Sequence, residues 1–175
     1  MLNTKPMTRS CTANAATATA THTLTRSYSH STQPTLAPHI LDFYAQRSSW
    51  LINAMFHIKD DSKQLGLSDL STFTYKALRR TRLPPQLTIL VVAILVRLKS
   101  RWPAACSSAP AAGHRLFLAA FMIAYKTSID DCFSNASMVT LCQGVYKLTQ
   151  INAMERELLA LLDYQTHFND KELEE

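Results

Sequence analysis

Two stretches of the chain, residues 86–99 and 114–127, carry apolar side chains on almost every side of a helix. The first follows Pro84 and Pro85, which end one helix and open the next. A helix without a broad polar face has to be covered by its neighbours to stay folded in water. The sequence therefore predicts a bundle in which two central helices are largely buried and other helices pack around them.

Amphipathic segments before these stretches supply covering helices. The first segment carries large apolar residues at helical spacing, namely Ile40, Tyr44, Leu51, Met55 and Ile58. The second starts behind Ser68, a residue type that caps helices, and it places on one face Leu70, Phe73 and Ala77. Both helices should turn these residues toward the central pair.

Two further helices follow the central pair. A weaker one opens at a capping Ser134 or Asn135 and runs to about residue 145. A stronger one opens at Thr149 and runs to about Tyr164. The prediction is therefore six helices, with one N-terminal helix and five core helices.

The composition supports an all-α fold with one folded domain. Three glycines occur in 175 residues, and no segment alternates polar and apolar residues as a half-buried strand does. Residues 1–37 are rich in Ser, Thr and Ala and predict a disordered tail, although an acid-free, Arg-bearing segment also fits a mitochondrial transit peptide. We expect the folded domain over residues 38–168 and a frayed acidic end over residues 169–175.

Several classes of function find no support in the residues. Phosphate-cradling loops need glycines at fixed spacing, and no such motif occurs, so neither a cofactor nor a small-molecule substrate is expected. The four cysteines form no C-x-x-C pair and no catalytic constellation appears, so we expect neither a metal site nor an enzyme. The longest apolar run is shorter than the roughly 20 residues of a membrane span.

The excess of positive charge leaves one alternative open. The net charge is +5, and no acidic residue precedes Asp42. A basic half of this kind permits DNA binding. However, the basic residues are scattered, and no aromatic residues interleave with them to stack on bases. Nucleic-acid binding is therefore the less favoured interpretation.

Two charged residues interrupt apolar helix faces. In the last helix, Glu155 falls inside an arc of about 160° that holds the large apolar residues. Lys126 closes the helix over residues 114–127 after several apolar turns. Each has an ordinary explanation, because a glutamate at the edge of a stripe can reach water and a lysine complements the dipole at a helix C-terminus. The alternative is that the two residues meet at one surface and together grip the backbone of a partner.

The chain from residue 39 to 166 resembles the cyclin box, most strongly over residues 114–164. HRLFLAAFMIAYKTSIDD is similar to the family's central third helix, FSNASMVTL to the fourth and LTQINAMERELLALLDYQ to the fifth. LSDLSTFTYKALRR and LPPQLTILVVAILVRLK fit the first and second helices, and the segment from Ile40 fits a helix that precedes the box. The phrase INAMERELLALLDY is close to the fungal Pcl-type cyclins, which partner a Pho-type cyclin-dependent kinase.

The resemblance implies a role for the two charged residues. In cyclins, the lysine that closes the third helix and the first glutamate of the fifth contact the kinase near its mobile C-helix. These positions are Lys126 and Glu155 in this chain. Ile123, Leu159 and Tyr164 carry over as neighbouring kinase contacts.

The resemblance also sets the functional expectation. It implies a regulatory subunit, without chemistry of its own, that binds and activates a cyclin-dependent serine/threonine kinase in the nucleus and cytoplasm, with a role of the cell-cycle type. The alternative is a degenerate cyclin-like scaffold that binds a kinase or another partner without activating it. The chain departs from the usual pattern at Thr127, where many cyclins carry an aromatic residue. The usual Arg–Asp pair between the first two helices is not evident either, although Arg79 or Arg80 could supply the arginine.

Overall fold

A computed structural model describes residues 37–59, 62–82, 84, 86–105, 109–130 and 132–169. These residues form six α-helices and no strand, which confirms the predicted all-α bundle. The helices are α1 (Pro38–Phe56), α2 (Leu70–Thr81), α3 (Gln86–Arg101), α4 (Ala112–Ser128), α5 (Asn135–Leu141) and α6 (Leu148–Leu161). A short 3-10 helix, Ser62–Leu65, lies between α1 and α2.

The predictions about the two ends of the chain concern residues outside the described ranges. The disordered or transit-peptide segment falls almost wholly on residues 1–36, and the acidic end on residues 170–175. Both stay predictions, as do the domain boundaries. Within the part of the chain that the structure describes, no helix combines the length and the apolar character that crossing a membrane requires.

Helix α4 lies at the centre of the bundle, as its all-round apolar sequence predicts. Twelve of its 17 residues are buried, and α1, α2, α3 and α6 all pack against it. Its aromatic rings form a row, with centroids 5.6 Å apart for Phe117 and Phe121 and 6.4 Å apart for Phe121 and Tyr125. Stacked rings of this size bury a large apolar area, so α4 supplies much of the core.

Helix α3 is buried on one face, and the expectation that it would be largely buried was wrong. Six of its 16 residues are buried, while Ile89 and Val96 are 47% and 46% exposed. The helix packs mainly against α4 and α1. It therefore lies at the edge of the bundle, and its outer apolar residues face outward.

The buried face of α1 is rotated by about one residue step of 100° from the predicted apolar face. Tyr44, Met55 and Ile58 still pack against the core, but they are only half-buried. Ile40 is 36% exposed, and the residues that are buried instead are Leu41, Ala45, Ser48, Ser49, Ile52 and Phe56. The hydroxyls of Ser48 and Ser49 donate to carbonyls of their own helix, at 2.6 Å to Tyr44 O and 2.7 Å to Ala45 O. Because these donors are satisfied inside the helix, small serines can lie in the buried face where larger apolar residues were expected.

Two predicted helix caps also differ from the observed ones. Helix α2 is capped by Asp69, whose Oδ2 accepts from Thr72 N at 3.0 Å, and not by Ser68, whose carbonyl accepts from His114 Nε2 at 2.8 Å. Helix α6 begins at Leu148, so Thr149 lies within its first turn. The start of α6 is closed by Gln150, whose Oε1 accepts from Lys147 N at 2.9 Å.

Helix α6 ends at Leu161, three residues before the predicted end at Tyr164. Asp163 and Tyr164 adopt positive φ angles of 48° and 58°, which a helix cannot continue through. The backbone N–H of Tyr164 turns back to Leu159 O at 2.9 Å. The chain therefore leaves the helix in a tight left-handed turn.

Side chains from the end of α3 hold the segment that follows α6. Arg97, Arg101 and Trp102 donate to backbone carbonyls over distances of 2.7–3.1 Å, at Leu161, Leu162, Gln165 and His167. Arg101 also forms an ion pair with Asp163, and the Arg97 guanidinium lies 3.6 Å from the ring centroid of Phe168. We call these three side chains the α3 clamp; it satisfies the carbonyl of Leu161 at the end of α6 and attaches the segment that follows to the bundle.

Phe121→Ala should destabilise the protein by about 4 kcal/mol, because it removes a fully buried ring from the middle of α4 and leaves a cavity. Urea unfolding followed by circular dichroism measures the change. Phe43→Ala is the matched control, since that ring is 56% exposed, and it should cost less than about 1 kcal/mol. Equal losses in the two variants would contradict the central position of α4.

Asp69→Ala should destabilise the protein by about 1 kcal/mol at pH 7, because it removes the cap of α2. The hydrogen bond from Thr72 N lowers the pKa of the folded Asp69 carboxyl below its ordinary value. The stabilisation is therefore present above the unfolded pKa and is lost as the pH falls through the folded pKa. Urea unfolding at pH 7 and pH 3 should show the difference from the wild type shrinking at low pH, whereas Ser68→Ala should show no such pH dependence.

Candidate functional site

Lys126 and Glu155, the two charged residues that interrupt apolar faces, form an ion pair. Lys126 lies in the last turn of α4 and Glu155 in the middle of α6. Their Nζ and Oε1 atoms are 2.6 Å apart, and the side chains are 32% and 13% exposed. The carboxylate of Glu155 therefore points to a cation within the protein, and the interpretation that it simply reaches water at the edge of the stripe was wrong.

The second carboxylate oxygen of Glu155 is also engaged. Asn135 Nδ2 donates to Glu155 Oε2 at 2.7 Å and to Asn152 Oδ1 at 2.8 Å. Asn135 is the first residue of α5, held there by the Ser134 cap, and Asn152 lies on α6 one turn before Glu155. We call Lys126, Asn135, Asn152 and Glu155 the polar cluster; it joins three helices at one half-exposed point.

Two residues of the polar cluster, Asn152 and Glu155, belong to a longer row of residues on one face of α6. Leu148, Asn152, Glu155 and Leu159 follow one another at i, i+4, i+7 and i+11, which places them on a single stripe. Leu148 is 42% exposed, and Leu159 is half-buried against the core. We call these four residues the α6 stripe; it presents polar groups in its middle and an apolar residue at each end.

The three other predicted contact residues, Ile123, Leu159 and Tyr164, do not lie together on one surface. Ile123 is 2% exposed and lies in the core, one turn before Lys126 on α4. Its side chain is therefore not exposed to a binding partner in this structure. Tyr164 is 69% exposed but lies beyond the end of α6. Of the three neighbours named from the sequence, only Leu159 shares a face with Glu155, one turn away. The role of all five residues as kinase contacts stays a prediction.

Two departures from the cyclin pattern can be placed in the structure. The Thr127 hydroxyl donates within α4, at 2.9 Å to Ile123 O and 3.1 Å to Ala124 O, so it brings no unsatisfied donor to the surface. Arg80 Nη1 donates to the Leu141 carbonyl at 2.7 Å. Arg80 thereby joins α2 to the end of α5, and α3 contains no aspartate with which it could form the usual pair.

Sequence analysis missed Asn135, Asn152 and Leu148 as site residues. Leu148 and Asn152 could have been found by extending the helical spacing of Glu155 toward the start of α6. Asn135 had been noticed only as a possible cap. Its contact with Glu155 spans 20 residues of sequence, and no local pattern reports a contact between two helices.

The described residues offer binding groups and few groups suited to catalysis. They contain no cluster of three or more His, Cys, Asp or Glu residues that could hold a metal ion. Burial raises the pKa of the Cys142 thiol to about 11, although nearby Arg80 acts in the opposite direction. Cys142 therefore stays a protonated, unreactive thiol at neutral pH. Cys132 is free and exposed.

The Lys126–Glu155 pair should contribute a coupling energy of about 1 kcal/mol to folding, since it is more buried than a typical surface pair. A double-mutant cycle of Lys126→Ala and Glu155→Ala, measured by urea unfolding, gives that energy. The Arg101–Asp163 pair serves as the control, because the Asp163 side chain is 70% exposed. A coupling energy no larger than that of the control would show that the site is not preassembled.

Comparison with known proteins agrees with the resemblance seen in the sequence. The family model described as "Cyclin, N-terminal domain" matches residues 39–167. PHO85 cyclin-1 of Saccharomyces cerevisiae is 30% identical over 107 residues, which cover 61% of this chain and 38% of that protein. PHO85 cyclin-9 of the same yeast is 27% identical over 105 residues, which cover 60% of this chain and 34% of that protein. No solved structure gave a significant match.

The family match extends over the described helices and the polar cluster alike. The chain spans little more than a third of the length of the two yeast relatives. Cyclins are regulatory subunits of kinases and not enzymes themselves. The residues that resemble a cyclin box, the helical bundle that they form and the matched family model lead to one conclusion: the chain belongs to the cyclin family.

Proposed function

We propose that the chain binds and activates a cyclin-dependent protein kinase of the Pho85 type through the polar cluster and the α6 stripe. The observation that carries the proposal is the Lys126–Glu155 ion pair, which joins α4 to α6 and stays partly exposed. The names of the two yeast relatives support a kinase of this type as the partner.

The ion pair has hydrogen-bonding capacity left for a partner's backbone. A lysine ammonium group has three N–H donors, and Lys126 uses one of them on Glu155. Each carboxylate oxygen of Glu155 can accept more than one hydrogen bond. The pair can therefore give a hydrogen bond to a backbone carbonyl and accept one from a backbone N–H of the same extended segment, which fixes the register of that segment.

Apolar residues around the pair supply the contact area that affinity requires. Leu148 and Leu159 flank the polar centre of the α6 stripe, and polar groups that are surrounded by apolar contacts are shielded from water. Charged groups in such an arrangement determine which partner fits more than they determine the total affinity. We expect the leucines to supply most of the contact area, and the ion pair to fix the position of the bound segment so that those contacts can form.

Activation follows if the cyclin binds the active kinase more tightly than the inactive kinase. A kinase needs its C-helix turned inward so that the lysine–glutamate pair of its own active site forms. A surface that packs on the inward position of the C-helix stabilises that position. All the catalytic groups belong to the kinase, and the cyclin contributes only this differential affinity.

The Lys126→Ala/Glu155→Ala double variant should bind purified Pho85-type kinase at least about 30-fold more weakly than the wild type. Isothermal titration calorimetry measures the affinity, and phosphorylation of a peptide substrate by the reconstituted pair measures activation. We expect the wild-type chain to raise the phosphorylation rate and the double variant to fail at equal kinase and cyclin concentrations.

The matched control is Arg156→Ala/Glu157→Ala, which removes the same two types of charge from exposed neighbours on α6. It should bind and activate like the wild type. Equal losses in both double variants would place the kinase surface elsewhere. Tight binding of the wild type without stimulated phosphorylation would favour the alternative function, a cyclin-like scaffold that holds a kinase without activating it.

A further inference from the structure

We propose that Asn135 is a positioning residue for kinase recognition, which fixes the carboxylate of Glu155 so that the ion pair is assembled before the kinase arrives. The proposal rests on the proposed function of the polar cluster. It adds a residue from a third helix, α5, to a site otherwise built from α4 and α6. Asn135 would act through Glu155 and would not need to touch the kinase.

Both side-chain donors of Asn135 are in use. One Nδ2 hydrogen goes to Glu155 Oε2 at 2.7 Å and the other to Asn152 Oδ1 at 2.8 Å. The two acceptors lie one turn apart on α6. An amide group is planar and has its two hydrogens in fixed directions, so the two bonds together leave the Glu155 carboxylate little freedom to rotate.

The oxygen of the Asn135 amide determines which orientation of the group is favourable. Its Oδ1 atom is buried and has no hydrogen-bond partner among the described residues. A buried acceptor of this kind is costly. Turning the amide over would not relieve the cost, because Oδ1 would then face the oxygens of Asn152 and Glu155. The hydrogen bonds to Asn152 and Glu155 therefore determine the orientation of the amide, with both donors directed at α6.

This arrangement matters because a free glutamate would have to be ordered during binding. Immobilising a long side chain at an interface costs affinity. With Oε2 held by Asn135 and Oε1 held by Lys126, the carboxylate is already fixed in the free cyclin. Without Asn135, Oε2 would lose its partner within the protein, and the carboxylate could swing away from Lys126 toward water.

Asn135 is distinct from the residue that caps α5. The N-cap is Ser134, whose Oγ accepts from Ser137 N. The loss of helix stability and the loss of carboxylate positioning can therefore be separated by comparing neighbouring variants. Ser134→Ala removes the cap and leaves the bonds to α6, whereas Asn135→Ala leaves the cap and removes the bonds to α6.

The test is a double-mutant cycle in kinase affinity, measured by calorimetry with purified Pho85-type kinase. Asn135→Ala should weaken binding by up to about tenfold in the wild-type background, because the long side chain of Glu155 would then have to be ordered during binding. It should have no effect in a Glu155→Ala background, where there is no carboxylate to position. Asn135→Asp keeps the size of the side chain but sets two carboxylates against each other, and it should weaken binding at least as much.

A loss that persists in the Glu155→Ala background, or an equal loss in Ser134→Ala, would overturn the positioning role. A second measurement needs no kinase, so it separates this proposal from the proposed function. In NMR spectra of the free chain, Glu155→Ala should shift the Asn135 side-chain amide signals, and Asn135→Ala should broaden the Lys126 ammonium signal. Unchanged signals would refute the inference even if the kinase binds, and shifted signals with no kinase binding would refute only the proposed function.

Discussion

The burial of α4 on all sides is the constraint on which the rest of the structure depends. A helix with 12 of 17 residues buried needs neighbours around it, and α1, α2, α3 and α6 supply them. The burial lasts until the final turn, where Lys126 is half-exposed. The position at which α4 reaches the surface therefore determines where the Lys126 ammonium group can lie. Helices α5 and α6 pack around that position.

The helices could be predicted from the sequence because apolar periodicity is a local property. The buried face and the first residue of each helix were less predictable. They depend on hydrogen bonds of polar side chains, which a hydrophobicity pattern does not report. Ser48 and Ser49 occupy the buried face of α1 because their hydroxyls bond within the helix. Asp69 caps α2 in place of Ser68 because the helix begins at Leu70, and the carboxylate of the residue before it accepts from Thr72 N. In both cases a hydrogen bond decided between sequence alternatives that looked equivalent.

The candidate site shows the same division. Glu155 could be recognised because a carboxylate inside an apolar stripe needs a partner, and Lys126 because it closes an apolar helix. Their contact across 29 residues of sequence was one of the alternatives that the helix patterns left open, and the family resemblance then favoured it. Asn135 could not be assigned in this way, because its contribution arises only when α5 is packed beside α6. Ile123, which the sequence analysis named as a contact, lies in the core. Its burial depends on how α6 packs against α4, which the sequence does not show.

The α3 clamp has a consequence for sequence variation in the segment after α6. Arg97, Arg101 and Trp102 hold that segment largely by its backbone carbonyls, and every amino acid has a carbonyl. The residues that are held can therefore change with little loss of attachment, provided that the backbone path is kept, whereas the residues that hold them cannot. Close relatives should differ freely at His167, whose backbone carbonyl is held, while keeping both arginines. The sequence of α3 should therefore indicate better than the attached segment whether this end of the bundle is held in the same way.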